Sequence, residues 1–273
     1  CLCAGFPFVG FLLSDSNKYI RYVGGLIGFV IVIAVILSQS RAGIMSIAFI
    51  CFILLNMKFF HKRWVKYLSL LCFALLLSGC YWMKKDSADG RLLIWRCSVS
   101  MVKDAPWLGH GIGSFEARYM DYQADYFRQY GLNRYSMLAD NVKHPFNEYL
   151  GVLLNFGFVG LLMILALITL LIYCYKKHPC AEKRIAFYSL ISIGVFSFFS
   201  YTFTYPFTWI VTFLCIIILT KEYIAKVFTC PIIKNTVCIF ILLCSFWGIY
   251  NLVKRVMAEK EWGNTSVSYT HLR

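Results

Sequence analysis

The sequence predicts an all-α fold, a polytopic bundle of transmembrane helices with one long, largely helical loop on its outer face. Sixty per cent of the residues are apolar or aromatic, and the mean hydropathy is +0.67. Several runs approach the roughly 20 apolar residues that cross a bilayer. These runs are continuously apolar rather than alternating, so they are not barrel strands. Because backbone polar groups in lipid must pair internally, the spans are predicted to be helices.

The apolar runs divide the chain into four parts. Residues 1–82 hold a partial span at 1–13 and three full spans, residues 83–147 form the polar loop with the candidate active site, 148–252 hold four spans, and 253–273 form a stub on the outer face. The spans are predicted near 20–39, 42–60, 66–82, 149–175, 185–203, 207–220 and 235–252. The chain begins without Met inside an apolar run, so we expect that further spans precede it. Its last residues, SVSYTHLR, resemble translated sequencing-adaptor sequence.

The net charge of +14 does not indicate nucleic-acid binding, because Lys and Arg cluster between spans, as at 176–184. The positive-inside rule places such clusters in the cytoplasm. Alternation then puts residues 38–41, the 83–147 loop and the 201–206 turn outside. The span interiors lack Asp, Glu, Lys and Arg, which argues against an ion-coupled transporter.

The cysteines and histidines show no metal-binding pattern, neither CxxC nor HExxH. Most of the twelve cysteines lie inside spans, where Cys is a small apolar residue. Cys80 and Cys97 lie near the outer face, and a disulfide between them is an open alternative to two free thiols.

Arg41 lies at a membrane boundary, because SQSRAG (38–43) joins two apolar runs almost without a loop. An arginine at that depth is costly. Its side chain either snorkels to a lipid phosphate or faces inward and binds an anionic ligand.

The polar loop contains two predicted amphipathic helices. The first, at 91–103, has an apolar row at Leu92, Trp95, Val99 and Val102 and is expected to lie on the outer membrane surface. GHGIG (109–113) then forms a tight turn, either an ordinary one or one that approaches a phosphate. The second helix, 115–130, carries four tyrosines that suit a membrane surface or sugars.

A helix is predicted to begin at Pro145, with His144 at or near its N-cap. His144, Asn147 and Glu148 would then share one side of the first turn. The positive end of the helix suits a phosphate and would keep His144 neutral, as a general base must be. Alternatively, Asn147 and Glu148 only cap the helix and His144 is an interfacial residue.

Four motifs in order resemble the O-antigen ligase / O-antigen polymerase superfamily over residues 20–220. They are SQSRAG, GRLLIW, DAPWLGHGIGSF and HPFNEYLGVLLNFGFVG. The family pattern commonly has His directly before Asn, whereas Phe146 holds that place here.

The resemblance implies a metal-independent, inverting glycosyl transfer, without a cofactor, on the periplasmic face of the bacterial inner membrane. The donor would be a glycan on undecaprenyl diphosphate, and the acceptor a sugar hydroxyl on lipid A-core or on another glycan. Arg41 and Arg91 would hold the diphosphate. His144 would act as base or positioner, oriented by Glu148. Trp95 and the tyrosines of 119–130 would contact sugar.

Gly111, Gly113 and Asn147 complete the predicted substrate-binding set, and Arg96, on another side of its helix, is the weaker arginine. The partners implied are the lipid-linked donor, the glycan acceptor and membrane lipid. A ligase is the leading hypothesis. A polymerase of the same superfamily, a polysaccharide or lipid transporter and a non-catalytic scaffold are the alternatives.

Overall fold

The computed structural model describes residues 2–58, 63–83 and 85–227, and beyond them residues 235, 239, 242–243, 245–258 and 260. Cys1–Leu219 form one compact unit and Thr220–Arg273 another. The described residues form helices and turns without a strand, so the predicted all-α fold is confirmed. The predicted span 235–252 and the stub 253–273 lie partly outside the described residues.

The helices up to residue 227 follow the predicted order. They are α1 (Leu2–Leu13), α2 (Lys18–Leu37), α3 (Arg41–Lys58), α4 (Arg63–Met83), α5 (Lys85–Asp104), α6 (Ser114–Tyr130), α7 (Glu148–Lys177), α8 (Ala181–Phe198) and α9 (Pro206–Val227). Three segments in the described part of the chain are long and apolar enough to cross a membrane, namely Lys18–Leu37, Glu148–Lys177 and Pro206–Ala225. Shorter apolar helices are Leu2–Leu13, Arg41–Asn56 and Trp64–Gly79. The predicted span 185–203 differs, because α8 ends at Phe198 and a turn follows.

A buried polar seam joins α1, α3 and α8. Pro7 has no N–H to donate to the carbonyl of Cys3, and the hydroxyl of Ser192 donates to that carbonyl instead, at 2.7 Å. The Ser46 hydroxyl donates to the Ser192 carbonyl at 2.8 Å. Small polar residues of this kind bring apolar helices close together. The seam therefore fixes the helix that begins with Arg41 against the helix that ends at Phe198.

Helices α5 and α6 pack against each other and against the start of α7. Their shared core consists of Leu93, Ile94, Cys97, Met101, Phe115, Tyr119, Tyr135 and Leu154. In contrast, Val99 of the predicted apolar row is 48% exposed. Cys97 is a free, buried thiol. The loop between the spans is therefore a packed helical layer with its own core.

Helix α7 is broken at Gly157, whose φ of 62° and ψ of −160° are not helical. Beyond the break, Phe158 N–H donates to Pro106 O at 2.8 Å and Val159 N–H donates to Trp107 O at 3.2 Å. In an unbroken helix these two groups would donate to the carbonyls of residues 154 and 155. Those carbonyls instead accept from His110 N–H at 2.7 Å and Gly111 N–H at 3.1 Å. Residues 106–111 thus take over the hydrogen bonds that α7 gives up.

Two glycines permit this exchange. A Cβ on Gly157 would lie 2.3 Å from the carbonyl carbon of Trp107, and a Cβ on Gly109 would lie 2.6 Å from the carbonyl carbon of Asn155. Both residues also have positive φ. The nearest neighbour of Gly157 is therefore the backbone of the 106–111 loop rather than another helix.

Candidate active site

The first residue of α3 and one turn of α5 bring Arg41, Arg91 and Trp95 together. All three line one cavity of about 220 Å³, together with Met45, Leu77, Tyr81, Ala88, Leu92 and Phe199. Arg91 and Trp95 are four residues apart and therefore lie on the same side of α5. The Arg41 guanidinium donates to the Ser87 hydroxyl at 2.7 Å, which ties α3 to the first turn of α5.

The two arginines raise the positive potential of this cavity. Burial lowers the pKa of Arg91, and the nearby charge of Arg41 lowers it further. Arg91 donates to the carbonyl of Phe199 at 2.8 Å, and no carboxylate among the described residues forms an ion pair with it. Two like charges at one half-buried site attract an anion. The cavity is therefore suited to an anionic group.

The segment 144–146 passes beside this cavity. The indole N–H of Trp95 donates to the Pro145 carbonyl at 3.0 Å, and the guanidinium carbon of Arg91 lies 5.1 Å from the centre of the Phe146 ring. The imidazole of His144 stacks on Tyr201, with ring centres 4.7 Å apart. Phe146 contacts the same tyrosine, at 5.3 Å. His144 is thus joined to Arg91 through Tyr201 and Phe146, and it does not line the cavity itself.

The predicted helix start was wrong. Helix α7 begins at Glu148, and Asn147 is its N-cap, accepting from Leu150 N–H at 3.1 Å. His144 precedes the helix and does not share its first turn with Asn147 and Glu148. Asn is among the best N-cap residues, and Phe146, with a φ of 52°, turns the chain before the cap. The preference of Pro for a first helical position does not decide this helix start.

Glu148 connects the start of α7 to the turn after α8. One of its carboxylate oxygens accepts from Phe203 N–H at 2.7 Å. The same turn carries Tyr201 and Phe199, which the sequence interpretation did not name as site residues. The sequence did contain a signal for this turn, because residues 199–205, FSYTFTY, form a polar and aromatic interruption between two apolar runs.

Gly111 and Gly113 do not line the arginine cavity. The N–H of Gly111 is used by the carbonyl of Asn155, and Gly113 is the N-cap of α6 with a φ of 82°. Their positive φ values mark turns. The N–H group of Gly111 is thus not available to a phosphate, and the turn of Gly109 joins the loop to α7.

A second, apolar space lies between α3, α4, α7 and α8 and adjoins the arginine cavity. Its volume is about 750 Å³, and Met45, Leu77 and Phe199 line both spaces. Its other lining residues are almost all aliphatic or aromatic: Phe49, Phe73, Tyr149, Ile168, Leu171, Ile172, Phe187, Leu190, Ile191, Gly194, Val195 and Phe198. An anion-binding end and an apolar groove are therefore adjacent.

One known protein family matches a large part of this chain. A family model described as O-antigen ligase matches residues 26–165. No curated protein matches the chain. The matched region contains Arg41, Arg91 and Trp95 and extends through the broken part of α7. Because the match covers more than half of the 273 residues, the chain belongs to the O-antigen ligase family.

Proposed function

We propose that the protein transfers a glycan from undecaprenyl diphosphate to a sugar hydroxyl, as an O-antigen ligase with lipid A-core as acceptor. The observation that carries this proposal is that the Arg41–Arg91 cavity and the apolar groove are adjacent and share three lining residues. A polyprenyl diphosphate has one anionic end and one long apolar tail. The two adjacent spaces match these two parts in chemistry and in order.

Arg41 and Arg91 would stabilise the leaving group. The acceptor oxygen attacks the anomeric carbon, and the bond from that carbon to the diphosphate oxygen breaks. Its electron pair leaves with the undecaprenyl diphosphate. Guanidinium groups placed where this charge develops lower the barrier, and a fork of N–H donors fits phosphate oxygens. Attack from the face opposite the leaving group inverts the configuration, and no metal is required.

His144 would accept or position the proton of the acceptor hydroxyl. Its ring orientation is set by Tyr201, and the chain on its C-terminal side is held by Trp95. Glu148 holds the Tyr201 turn through Phe203 N–H, so it would orient His144 indirectly. Trp95, at the cavity wall, would contact the sugar next to the diphosphate. The site would face the periplasm, in the inner membrane of a bacterium.

A deletion strain complemented with the wild-type gene tests the proposal, with lipopolysaccharide gels and extraction of lipid-linked glycan as readouts. A ligase deletion loses the O-antigen ladder and accumulates lipid-linked polymer. A ladder shortened to single repeats would assign the protein to the polymerase branch instead. An unchanged ladder and an unchanged lipid-linked pool would contradict both assignments.

A further inference from the structure

A second cationic cluster lies on the other side of α5. The guanidinium carbons of Arg96 and Arg134 lie 5.3 and 4.7 Å from the centre of the Tyr135 ring. Arg134 also donates to the Tyr135 hydroxyl at 2.6 Å, and Arg96 donates to the Tyr126 hydroxyl at 3.4 Å. Tyr135 is buried, whereas both arginines are exposed. Both guanidinium groups are thus held against one buried ring.

The charge of this cluster is only partly compensated. Among the described residues, no carboxylate forms an ion pair with Arg96 or Arg134. The negative charge of Asp89 favours the charged form of Arg134. Asp89 is buried, however, and accepts a hydrogen bond from the Tyr81 hydroxyl at 3.1 Å. The charge of Arg134 disfavours the charged form of Arg96, and a bound anion would relieve that repulsion.

Tyrosine rings extend the cluster along α6. The ring centres of Tyr126 and Tyr130 are 4.9 Å apart, and Tyr130 is 62% exposed. A tyrosine offers an apolar face for a pyranose ring and a hydroxyl for hydrogen bonding. Arginine next to such rings binds carboxylate or phosphate with a planar fork. The combination favours a negatively charged saccharide.

The cluster is connected to the candidate active site through Tyr81. The same residue lines the Arg41–Arg91 cavity and donates to Asp89, whose charge acts on Arg134. We propose that Arg96 and Arg134, with Tyr126 and Tyr130, bind acidic groups of the glycan acceptor. This inference rests on the proposed transferase function, and it adds that the acceptor is an acidic glycan.

An anionic lipid headgroup is the other source of negative charge. The cluster lies on α5, α6 and the segment after α6, outside the candidate membrane spans. Its exposed ring also suits a sugar better than an acyl chain. We therefore argue for the saccharide, and the experiment separates the two.

The test measures saccharide binding by calorimetry, with the purified protein in phosphatidylcholine nanodiscs. The probes are trigalacturonate and its neutral methyl ester, and the variants are Arg96→Gln and Arg134→Gln. Arg128→Gln is the matched control, because Arg128 lies on α6 in an exposed ion pair with Asp125. The wild type is expected to bind the acid about tenfold more tightly than the ester. Each test variant is expected to lose about that factor for the acid alone.

Equal binding of acid and ester by the wild type would overturn the inference, as would an effect of Arg128→Gln equal to those of the two test variants. Displacement of the acid by phosphatidylglycerol in the discs, lost in the Arg96 and Arg134 variants, would make the cluster a lipid site. The binding measurement requires neither glycan transfer nor a lipid-linked donor. If the proposed transfer fails, the binding measurement therefore still tests the cluster. If the saccharide does not bind, the effect of Arg91→Ala on glycan transfer still tests the proposed function.

Discussion

The guanidinium of Arg91 lies over the ring of Phe146, 5.1 Å from its centre. Phe146 occupies the place, directly before Asn147, where the family pattern commonly has histidine. A cation over an aromatic face is attracted by about 0.5–2 kcal/mol, depending on desolvation. Phe146 therefore holds Arg91 at the cavity, and His144, two residues earlier, reaches the same cluster through Tyr201.

Replacement of Arg91 by Ala is expected to reduce glycan transfer by about 100-fold or more, because a preorganised charge at the leaving group is lost. Arg91→Lys should recover only part of the activity, since an ammonium lacks the planar fork. Transfer is measured as the rate of ladder formation at matched protein levels in the membrane.

Arg128→Ala is the control for Arg91→Ala, because its exposed ion pair contributes little to stability. Wild-type transfer by Arg91→Ala would remove Arg91 from the site. Loss of the protein from the membrane would instead indicate a structural role.

Leu77→Trp is expected to block the junction between the arginine cavity and the apolar groove, since Leu77 lines both. Transfer from a donor with a full-length polyprenyl chain should fall at least about tenfold, a loss of about 1.4 kcal/mol, because the indole would occupy space that the lipid chain needs. A donor with a short chain should be affected much less.

The comparison of the two donors in detergent-solubilised protein provides the measurement. Leu75→Trp is the control, because Leu75 is 62% exposed on the same helix and does not line the groove. Equal losses for both donors would show that the groove does not hold the lipid chain.

His144→Ala is expected to reduce transfer less than Arg91→Ala does, by about tenfold, since proton transfer contributes less when the leaving group is already good. Tyr201→Phe keeps the ring that stacks on His144 and should stay near wild type. Measurement of kcat and KM for the acceptor separates the roles. A drop in kcat alone indicates proton transfer, and a rise in KM indicates positioning. A loss as large as that of Arg91→Ala would contradict this ranking.

Gly157→Ala and Gly109→Ala are each expected to destabilise the protein by at least about 2 kcal/mol, because a Cβ would overlap backbone atoms and the positive φ disfavours alanine. Gly79→Ala is the control. It lies in α4 with open space around it, and alanine there should be neutral or slightly stabilising. Melting temperatures in detergent provide the measurement. A Gly157→Ala protein as stable as Gly79→Ala would show that the loop does not enter the helix.

The helices with strong periodicity could be predicted from the sequence. The span predicted at 20–39 is α2 (Lys18–Leu37), and the amphipathic helix predicted at 115–130 is α6 (Ser114–Tyr130). Both helices can be predicted from the spacing of their apolar side chains, which depends only on residues close together in the sequence. Arg41 and Arg91 were paired on the resemblance of four motifs in the family order. They line one cavity, and their role in the reaction stays a prediction.

Contacts between backbones could not be predicted in this way. The exchange between residues 106–111 and 154–159 uses only N–H and carbonyl groups, which every residue carries. Its signals in the sequence are Gly109 and Gly157, and glycines also occur in ordinary turns. The start of α7 was missed for a different reason, because two capping rules competed and Asn147 outweighed Pro145.

The break at Gly157 also limits the length of continuous helix in α7. Helix α7 has 30 residues, and at about 1.5 Å per residue an unbroken helix would measure about 45 Å. The twenty residues after Gly157, 158–177, measure about 30 Å, which is the thickness of the hydrocarbon core. The remaining turns, 148–156, would then lie outside the hydrocarbon core, and the 106–111 loop would contact the helix near the membrane–water boundary. Under the proposed function, this contact would keep Arg91 and its neighbours level with the diphosphate of a membrane-bound donor.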